Sequence, residues 1–322
     1  LAVSPENDLM TMLLAVNGWN PAPWMDRFRR LAPELAIVDQ SEAYDPAAIR
    51  YVACWKPTPG LIAGLPNLEV IFNLGAGVDA LLADTTLPPV PLVRVVNDDL
   101  TSRMRDFVVL HVLYHHRQMH RLADAQRRHD WVDFYQPAPE HIRVGILGFG
   151  NLGQSAGRAL AHLGFQVAGW SRSGAEADGI ETFAGAAELP AFLARTDILV
   201  VLLPLTADTR GLIDLKLLRG LNTDNPLGGA VLINAGRGGL QVETDILQAL
   251  EDGTLVSASL DVFEKEPLAE TSPFWDHPRV IVTPHNAADS DPDALARYVV
   301  DQIRRHEQGL PVENVVDRAK GY

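Results

Sequence analysis

Three short segments in the second half of the chain each set a polar side chain at or just beyond the end of an apolar run. They are VLINAGRGG with Arg237, ASLDVFEKEP with Glu266 and VIVTPHNAA with His285. Open α/β sheets bind ligands beyond the carboxyl ends of their strands, so these are the positions where reactive groups belong. A guanidinium holds an anion in a fixed fork geometry. An imidazole beside a carboxylate can hold and deliver a proton near neutral pH. Taken singly, the three read as a surface arginine, a loop glutamate and a capping histidine. Together, in this order, they point to a site that binds an anion and moves a proton.

Two glycine-punctuated stretches, LGAGVDA at 74–80 and LGFGNLG at 147–153, both fit G-x-G-x-x-G/A. A pyrophosphate needs a tight turn at the first glycine, close backbone approach at the second and close helix packing at the third, ahead of a helix N-terminus. Gly148, Gly150 and Gly153 meet this requirement after the strand VGIL, and an uninterrupted helical pattern follows to Leu163. After Gly75, Gly77 and Ala80 the pattern breaks at once into DTTLPP. The later loop is therefore expected to bind the dinucleotide. The next strand ends in WSRS, with no acid until Glu176. An acid there would accept from a ribose 2'-hydroxyl, whereas an arginine accommodates a 2'-phosphate. NADP(H) is the expected cofactor, with weaker use of NAD(H), Arg172 as phosphate ligand and Ser171 and Ser173 as hydroxyl donors.

The elements that must position these groups follow two βα rhythms. The first runs through LLAV, WMDRFRRLAPEL, LAIV, YVACW and LEVIFNL, with a first strand over Leu9–Val16, and the Pro-rich DTTLPPVPLVRVV leads into a further strand. The second begins at Arg143 and runs through VGILG, NLGQSAGRALAHL, QVAGW, AELPAFLART and DILVVLL to VIVTPH. Between them, Leu100 to Arg128 has no proline or glycine and repeats apolar residues at helical spacing, which predicts one long helix. Its two apolar sides suit a bridge between domains or a second subunit. Its histidines, His111, His115, His116 and His120, lack carboxylate or cysteine partners at ligand spacing, so they read as packing or solvated residues with no metal. The last amphipathic stretch, DPDALARYVVDQIRRHEQG, has no strand of the second rhythm left to follow and is expected to cross back onto the first domain.

With 322 residues the chain exceeds what one core usually organises, and its 47% hydrophobic content suits a folded protein. A formal net charge of -14 argues against nucleic acid or an anionic membrane as partner. The single cysteine, Cys54, excludes an intrachain disulfide and reads as a small buried apolar residue, consistent with a reducing compartment. Glu6 and Asp8 stand where a signal peptide would be basic, and no apolar run approaches a membrane span. A cytoplasmic location is expected. The leading LAVSPEND lacks an initiator methionine and is expected to be partly a remnant of processing or of recombinant expression.

The GFGNLG loop, the LLPLT strand end, INAGRGG, LDVFEKEP and TPHNA together resemble the D-isomer-specific 2-hydroxyacid dehydrogenases. LGAGVDALL, GWSRS, SPFWDHPRV and the terminal VDRAKGY are most similar to the glyoxylate/hydroxypyruvate reductase A branch. The resemblance implies an α/β fold of two Rossmann-like domains with parallel sheets, one flavodoxin-like and one dinucleotide-binding, with an interdomain cleft. The substrate-binding domain would be discontinuous, 1–104 plus 288–322, and the dinucleotide-binding domain would take 105–287 and carry a dimerisation helix. A homodimer is implied. The cofactor would lie on Gly148, Phe149, Gly150, Asn151, Leu152, Gly153, Ser171, Arg172, Ser173, Leu203, Pro204, Ala235, Gly236, Asp261 and Ala287. Related enzymes often carry a different polar pattern at MRD, 104–106, so no cofactor contact is assigned there.

Reduction of a 2-oxo acid builds negative charge on the carbonyl oxygen, and a proton must arrive there. His285 is the expected general acid, Glu266 accepts from its other ring nitrogen, and Arg237 forks onto the substrate carboxylate and 2-oxo oxygen. The first glycine loop then gains a role: Leu74, Gly75, Ala76 and Gly77 form an amide nest for the carboxylate. Trp55 and Lys56 would wall the pocket, and the resemblance brings Trp275 to it as well, across the dimer. The expected reaction is NADPH-dependent reduction of glyoxylate or hydroxypyruvate, with the choice between them open. A D-lactate or phosphoglycerate type dehydrogenase is the same-chemistry alternative; the regulated phosphoglycerate kind usually carries an extra C-terminal domain, which is not expected here. A non-catalytic NADP(H)-sensing protein is the alternative of another class.

Overall fold

The computed structural model describes residues 10–321, so Leu9 of the expected first strand lies outside the described residues. The strand itself is β1, Thr11–Val16, and all six of its residues are buried. A strand covered on both faces cannot alternate, which is why TMLLAV reads as one continuous apolar run. Around it come α1 (Ala22–Leu31), β2 (Ala36–Asp39), β3 (Ile49–Trp55), β4 (Val70–Asn73), α2 (Asp79–Leu82) and β5 (Leu92–Arg94). The five strands form an all-parallel sheet in the order β2-β1-β3-β4-β5, the flavodoxin-like winding. α2 is a single turn of four residues, in keeping with the break seen after LGAGVDA.

The polypeptide then enters α3 (Asp98–His116) and α4 (Met119–Arg128). One continuous helix over Leu100–Arg128 is therefore corrected to two. Gln118 takes a left-handed conformation with φ of 48°, although neither glycine nor proline marks the place. The break is held by the returning segment: Gln136 Nε2 donates to the Arg117 carbonyl at 3.1 Å, His116 Nε2 bonds the Pro137 carbonyl at 2.7 Å, and the Arg121 guanidinium lies 4.1 Å from the Phe134 ring. A carbonyl freed from the helix ladder is thus satisfied by residues about twenty positions on.

The second sheet collects β6 (Arg143–Leu147), α5 (Asn151–His162), β7 (Gln166–Ser171), β8 (Glu181–Ala184), α6 (Gly185–Ala194), β9 (Ile198–Val201), α7 (Leu215–Leu218), β10 (Ala230–Asn234), α8 (Glu243–Glu251), β11 (Leu255–Leu260) and β12 (Val280–Val282). Its order, β12-β11-β10-β9-β6-β7-β8, all parallel, is the doubly wound dinucleotide-binding arrangement with one strand added. The winding reverses between β6 and β9, which puts the switch point at the end of VGIL. β8 is an edge strand absent from the sequence expectation.

Two compact units result, one running through Leu100 and resuming at Ser290, the other Thr101–Asp289; the expected boundaries lay at 104 and 288. The last helix, α9 (Pro292–Glu307), belongs to the first unit. Its Leu295, Ala296, Val299, Val300 and Ile303 enter the same core as Trp24, Met25 and Phe28 of α1. Asp293 pairs with Arg27 and Arg30, and Arg304 with Glu34, along the same contact. Cys54 is buried in the first unit and free, as a small apolar residue would be.

Candidate active site

The catalytic candidates of the second unit stand just beyond its strands. β11 ends at Leu260, and the buried Asp261 that follows organises the loop carrying His285. Thr283 Oγ1 and the Asn286 amide donate to Asp261 Oδ1 at 2.6 and 3.0 Å, and the Ala287 amide donates to Oδ2 at 3.1 Å. Burial pushes the Asp261 carboxyl up from its ordinary value, and these donors oppose the rise. The His285 amide bonds the Asp261 carbonyl at 2.8 Å, while His285 itself sits at φ +54°. A non-glycine residue held there is strained, and such strain persists only where the surroundings over-determine it.

The strained backbone aims the ring at Glu266. His285 Nδ1 and Glu266 Oε2 are 2.8 Å apart, and Glu266 Oε1 accepts from the Phe263 amide at 3.2 Å. Both side chains are about one-third exposed, 35% and 30%, so a ligand can reach the ring. The carboxylate on Nδ1 leaves Nε2 as the nitrogen facing away from the pair.

Arg237 follows β10 in a loop whose shape is fixed from beneath. Buried Asn234 accepts from the Gly236 amide at 3.0 Å and donates to Gln241 Oε1 at 2.8 Å, and Gln241 donates to the Val262 carbonyl at 2.9 Å. Gly238 has no alternative: a Cβ there would stand 1.8 Å from the Phe263 carbonyl oxygen. The Arg237 loop therefore lies directly on the segment leading to Glu266. Arg237 is half-buried, and its Nη1 donates to the Gly236 carbonyl at 2.7 Å.

The three glycines after β6 divide the work of a pyrophosphate loop. Gly148 has φ of +108° and a Cβ there would meet the Leu202 backbone at 2.7 Å, so the turn requires glycine. A Cβ on Gly153 would stand 2.3 Å from the Gly148 carbonyl, which is the close helix packing. A Cβ on Gly150 meets nothing within 4 Å, so its open face is the side a ligand can approach. Helix α5 starts at Asn151 with no side-chain cap, leaving its first amides directed outward. Asn151 Nδ2 bonds Thr101 Oγ1 at 3.1 Å, and Leu152 is half-buried. Phe149 turns the other way: it is buried against Gly169, and its amide bonds the Trp170 carbonyl.

At the end of β7, Ser171 Oγ is buried with no hydrogen-bond partner among the described residues. Arg172 beside it is exposed and lies 3.8 Å from Asp208, and Ser173 is exposed. Leu203 and Pro204 follow β9, Ala235 and Gly236 follow β10, and the carbonyl of Leu203 approaches the Gly236 backbone closely enough to exclude a Cβ. This set fits a dinucleotide: a turn glycine, an open glycine, an uncapped helix and an unpartnered hydroxyl beside an arginine.

In the first unit, Trp55 ends β3 and stacks on Trp19, ring centroids 5.0 Å apart, with Lys56 Nζ 5.6 Å from the Trp55 ring. Lys56 is held at φ +46°, and its carbonyl accepts from Asn17 Nδ2 at 2.8 Å. Leu74 donates its amide to Cys54, and Gly75 lies under the Trp55 ring. Trp275 is half-exposed, and its Nε1 donates to the Ala269 carbonyl at 2.9 Å. The helix histidines are tied to serines of β11: Ser259 Oγ is 2.7 Å from both His111 Nδ1 and His115 Nε2, and Ser257 Oγ is 2.8 Å from His115 Nδ1. Among the described residues no group of three His, Cys, Asp or Glu could hold a metal ion, and no helix is long and apolar enough to cross a membrane.

The expected catalytic groups rest on organisers that the sequence analysis did not name, Asn73, Asn234 and Gln241. A strand ending in asparagine was the available signal, as in VIFN before LGAG and VLIN before AGRGG.

A parallel sheet of this order, with a glycine loop of this geometry at its switch point, defines a Rossmann-like dinucleotide-binding protein. Residues 109–287 match the family described as D-isomer specific 2-hydroxyacid dehydrogenase, NAD binding domain. The chain is 38% identical over 306 residues to the glyoxylate/hydroxypyruvate reductase A of Escherichia fergusonii, covering 93% of this chain and 96% of that one. It superposes on the NADPH-dependent glyoxylate/hydroxypyruvate reductase of Sinorhizobium meliloti in complex with NADP and sulfate, with a TM-score of 0.93 and 46% identity. That match covers 97% of this chain and all of the other (100%). A probable 2-hydroxyacid dehydrogenase from Rhizobium etli in complex with NADP, HEPES and L(+)-tartaric acid gives 0.93 and 43%, over 97% and 100% of the two chains. The chain belongs to the D-isomer-specific 2-hydroxyacid dehydrogenase family.

Proposed function

We propose that the protein reduces small 2-oxo acids with NADPH, glyoxylate to glycolate and hydroxypyruvate to D-glycerate, and uses NADH less well. The observation that carries this reading is the 2.8 Å pair of His285 and Glu266 in the same unit as the pyrophosphate-shaped glycine loop. The activity named for the Escherichia and Sinorhizobium relatives, and the NADP held by the Sinorhizobium and Rhizobium ones, support it.

The loop from Gly148 to Gly153 would hold the pyrophosphate, and Ser171, Arg172 and Ser173 the 2'-phosphate. Leu203, Pro204, Ala235, Gly236, Asp261 and Ala287 would line the remaining path. When bound, NADPH supplies the hydride. As the carbonyl is reduced, Arg237 stabilises the charge growing on the 2-oxo oxygen, and His285 delivers the proton from Nε2. Glu266 accepts from Nδ1 throughout, which keeps Nε2 as the delivering nitrogen. Within the first unit, the amides of Gly75, Ala76 and Gly77 would hold the substrate carboxylate, with Trp55 and Lys56 beside them. Exposed Leu110, Met119, Trp131 and Tyr135 on and after the paired helices support a homodimer, which light scattering of the purified protein would test.

NADPH oxidation is followed spectroscopically with glyoxylate, hydroxypyruvate, pyruvate and 3-phosphohydroxypyruvate. Turnover is expected with the first two; NADPH binding without turnover of any would overturn the reading. Replacing His285 by Asn should lower kcat by about 100-fold or more with NADPH affinity kept. Arg172→Ala should lower the preference for NADPH over NADH by about ten- to a hundred-fold, and an unchanged ratio would remove Arg172 from the phosphate site.

A further inference from the structure

The loop after β4 carries two glycines, so its backbone has more freedom than an anion site can tolerate unless something fixes it. Asn73, the last residue of β4, is 3% exposed. A buried amide must find partners, and its Nδ2 finds two in this loop, the Gly75 carbonyl at 2.8 Å and the Gly77 carbonyl at 2.9 Å. Both neighbours are acceptors, so only an amide nitrogen suits the position.

In a trans peptide the carbonyl and the following N–H point in opposite directions. Turning the Gly75 carbonyl onto Asn73 therefore turns the Ala76 amide away from it, and fixing the Gly77 carbonyl sets the next peptide, Gly77–Val78, in the same way, so the short stretch between them is held at both ends. The Gly75 carbonyl also accepts from the Val95 amide at 3.3 Å. Among the described residues, the amides of Gly75, Ala76 and Gly77 donate to no protein group. Nor can the loop relax toward Trp55, because a Cβ on Gly75 would already be 2.4 Å from that ring, and the ring is backed by the stack of Trp19 and Trp24.

We infer that Asn73 is a positioning residue, which holds the carbonyls of Gly75 and Gly77 inward so that the amides between them stand ready for the carboxylate of a 2-oxo acid. This rests on the proposed reading of the loop as the substrate carboxylate site and deepens it. Asn73 touches neither substrate nor cofactor; it sets the orientation of groups that do.

The test is steady-state kinetics of Asn73→Ala and Asn73→Asp with glyoxylate and NADPH, alongside thermal melting. Loss of the tie should raise the KM for glyoxylate by about ten- to a hundred-fold, while the KM for NADPH stays within about twofold. The inhibition constant of oxalate, a carboxylate probe, should rise in step. A general structural defect would instead raise both KM values and lower the melting temperature together, and would overturn the positioning role. A folded variant with wild-type KM for glyoxylate overturns the assignment to Asn73. Should both variants fail to fold, a crystal structure of the wild type with NADPH and oxalate decides. A carboxylate oxygen on the Ala76 or Gly77 amide, with both carbonyls still on Asn73, supports the inference, and release of those carbonyls overturns it. A wild type that reduces no 2-oxo acid brings down the functional reading and this inference together, whereas an active wild type with an indifferent variant brings down only the inference.

Discussion

Glycines 148, 150 and 153 look alike in the sequence but have three different reasons to be glycine, and the reasons separate stability from function. An alanine at 153 must push into the Gly148 carbonyl, a contact of 2.3 Å made by backbone that cannot swing aside. Overpacking of this kind costs roughly 1 to 3 kcal/mol. An alanine at 150 meets no protein atom within 4 Å. Gly153→Ala should therefore lower the melting temperature by several degrees, whereas Gly150→Ala should melt like the wild type yet weaken NADPH binding about tenfold or more. Thermal melting paired with a fluorescence titration of NADPH checks both, and a Gly150 variant that binds normally would deny that its open face receives the pyrophosphate. The Glu266–His285 pair divides in the same manner. Glu266→Gln keeps a group beside Nδ1 but removes the charge, so kcat should fall about ten- to a hundred-fold at unchanged NADPH affinity, and near-normal turnover would show that the charge is dispensable.

At the scale of elements, α3 and β11 are joined by a buried polar contact. His111 and His115 share Ser259, and His115 also reaches Ser257. Burial holds His115 down at about 3 and His111 down at about 4. An unfolded histidine titrates near 6.5. Below that value the unfolded chain binds protons that the folded chain refuses, so stability is complete above about pH 6.5 and falls as the pH drops toward 4. The slope is about 1.4 kcal/mol per pH unit for each histidine. Urea midpoints between pH 7.5 and 4.5 should fall less steeply in His115→Asn than in the wild type, by about one proton; equal slopes would mean that His115 does not titrate on unfolding. This contact also marks how far the sequence could be read. The helical spacing of 100–128 was plain, but the break at Gln118 depends on Gln136, Pro137 and Phe134 returning to it, and no local pattern carries that. β8 escaped for a related reason. Only four residues long, at the sheet edge and without a buried face, it has no alternation to detect. Arg237, Glu266 and His285 could be proposed from the sequence because each lies a few residues beyond a strand. Asn73, Asn234 and Gln241 were not, because their partners are mostly backbone atoms of loops whose paths only the fold defines.

Over the whole molecule, the return of the last helix was legible by exclusion, since the second rhythm ended at VIVTPH and a long amphipathic stretch remained. Its consequence is energetic. Leu295, Val299, Val300 and Ile303 of α9 are each at most 3% exposed within the core of the first unit. Full burial of such a side chain contributes roughly 1.5 to 3 kcal/mol, so together they supply about 6 to 12 kcal/mol. That is comparable with the whole net stability of a typical domain, about 5 to 15 kcal/mol. The cores of the second unit, by contrast, draw every buried residue from Met104 to Ala287. A chain ended after Asp289 should therefore lose the first sheet and keep the second. Hydrogen exchange would report this directly: amides of β1–β5 should exchange as in an unfolded chain, while those of β6, β9 and β10 stay protected and NADPH still binds. Persistent protection of β1 and β3 in the shortened chain would show that the first sheet stands without α9, and that the chain's return from the second unit serves something other than its stability.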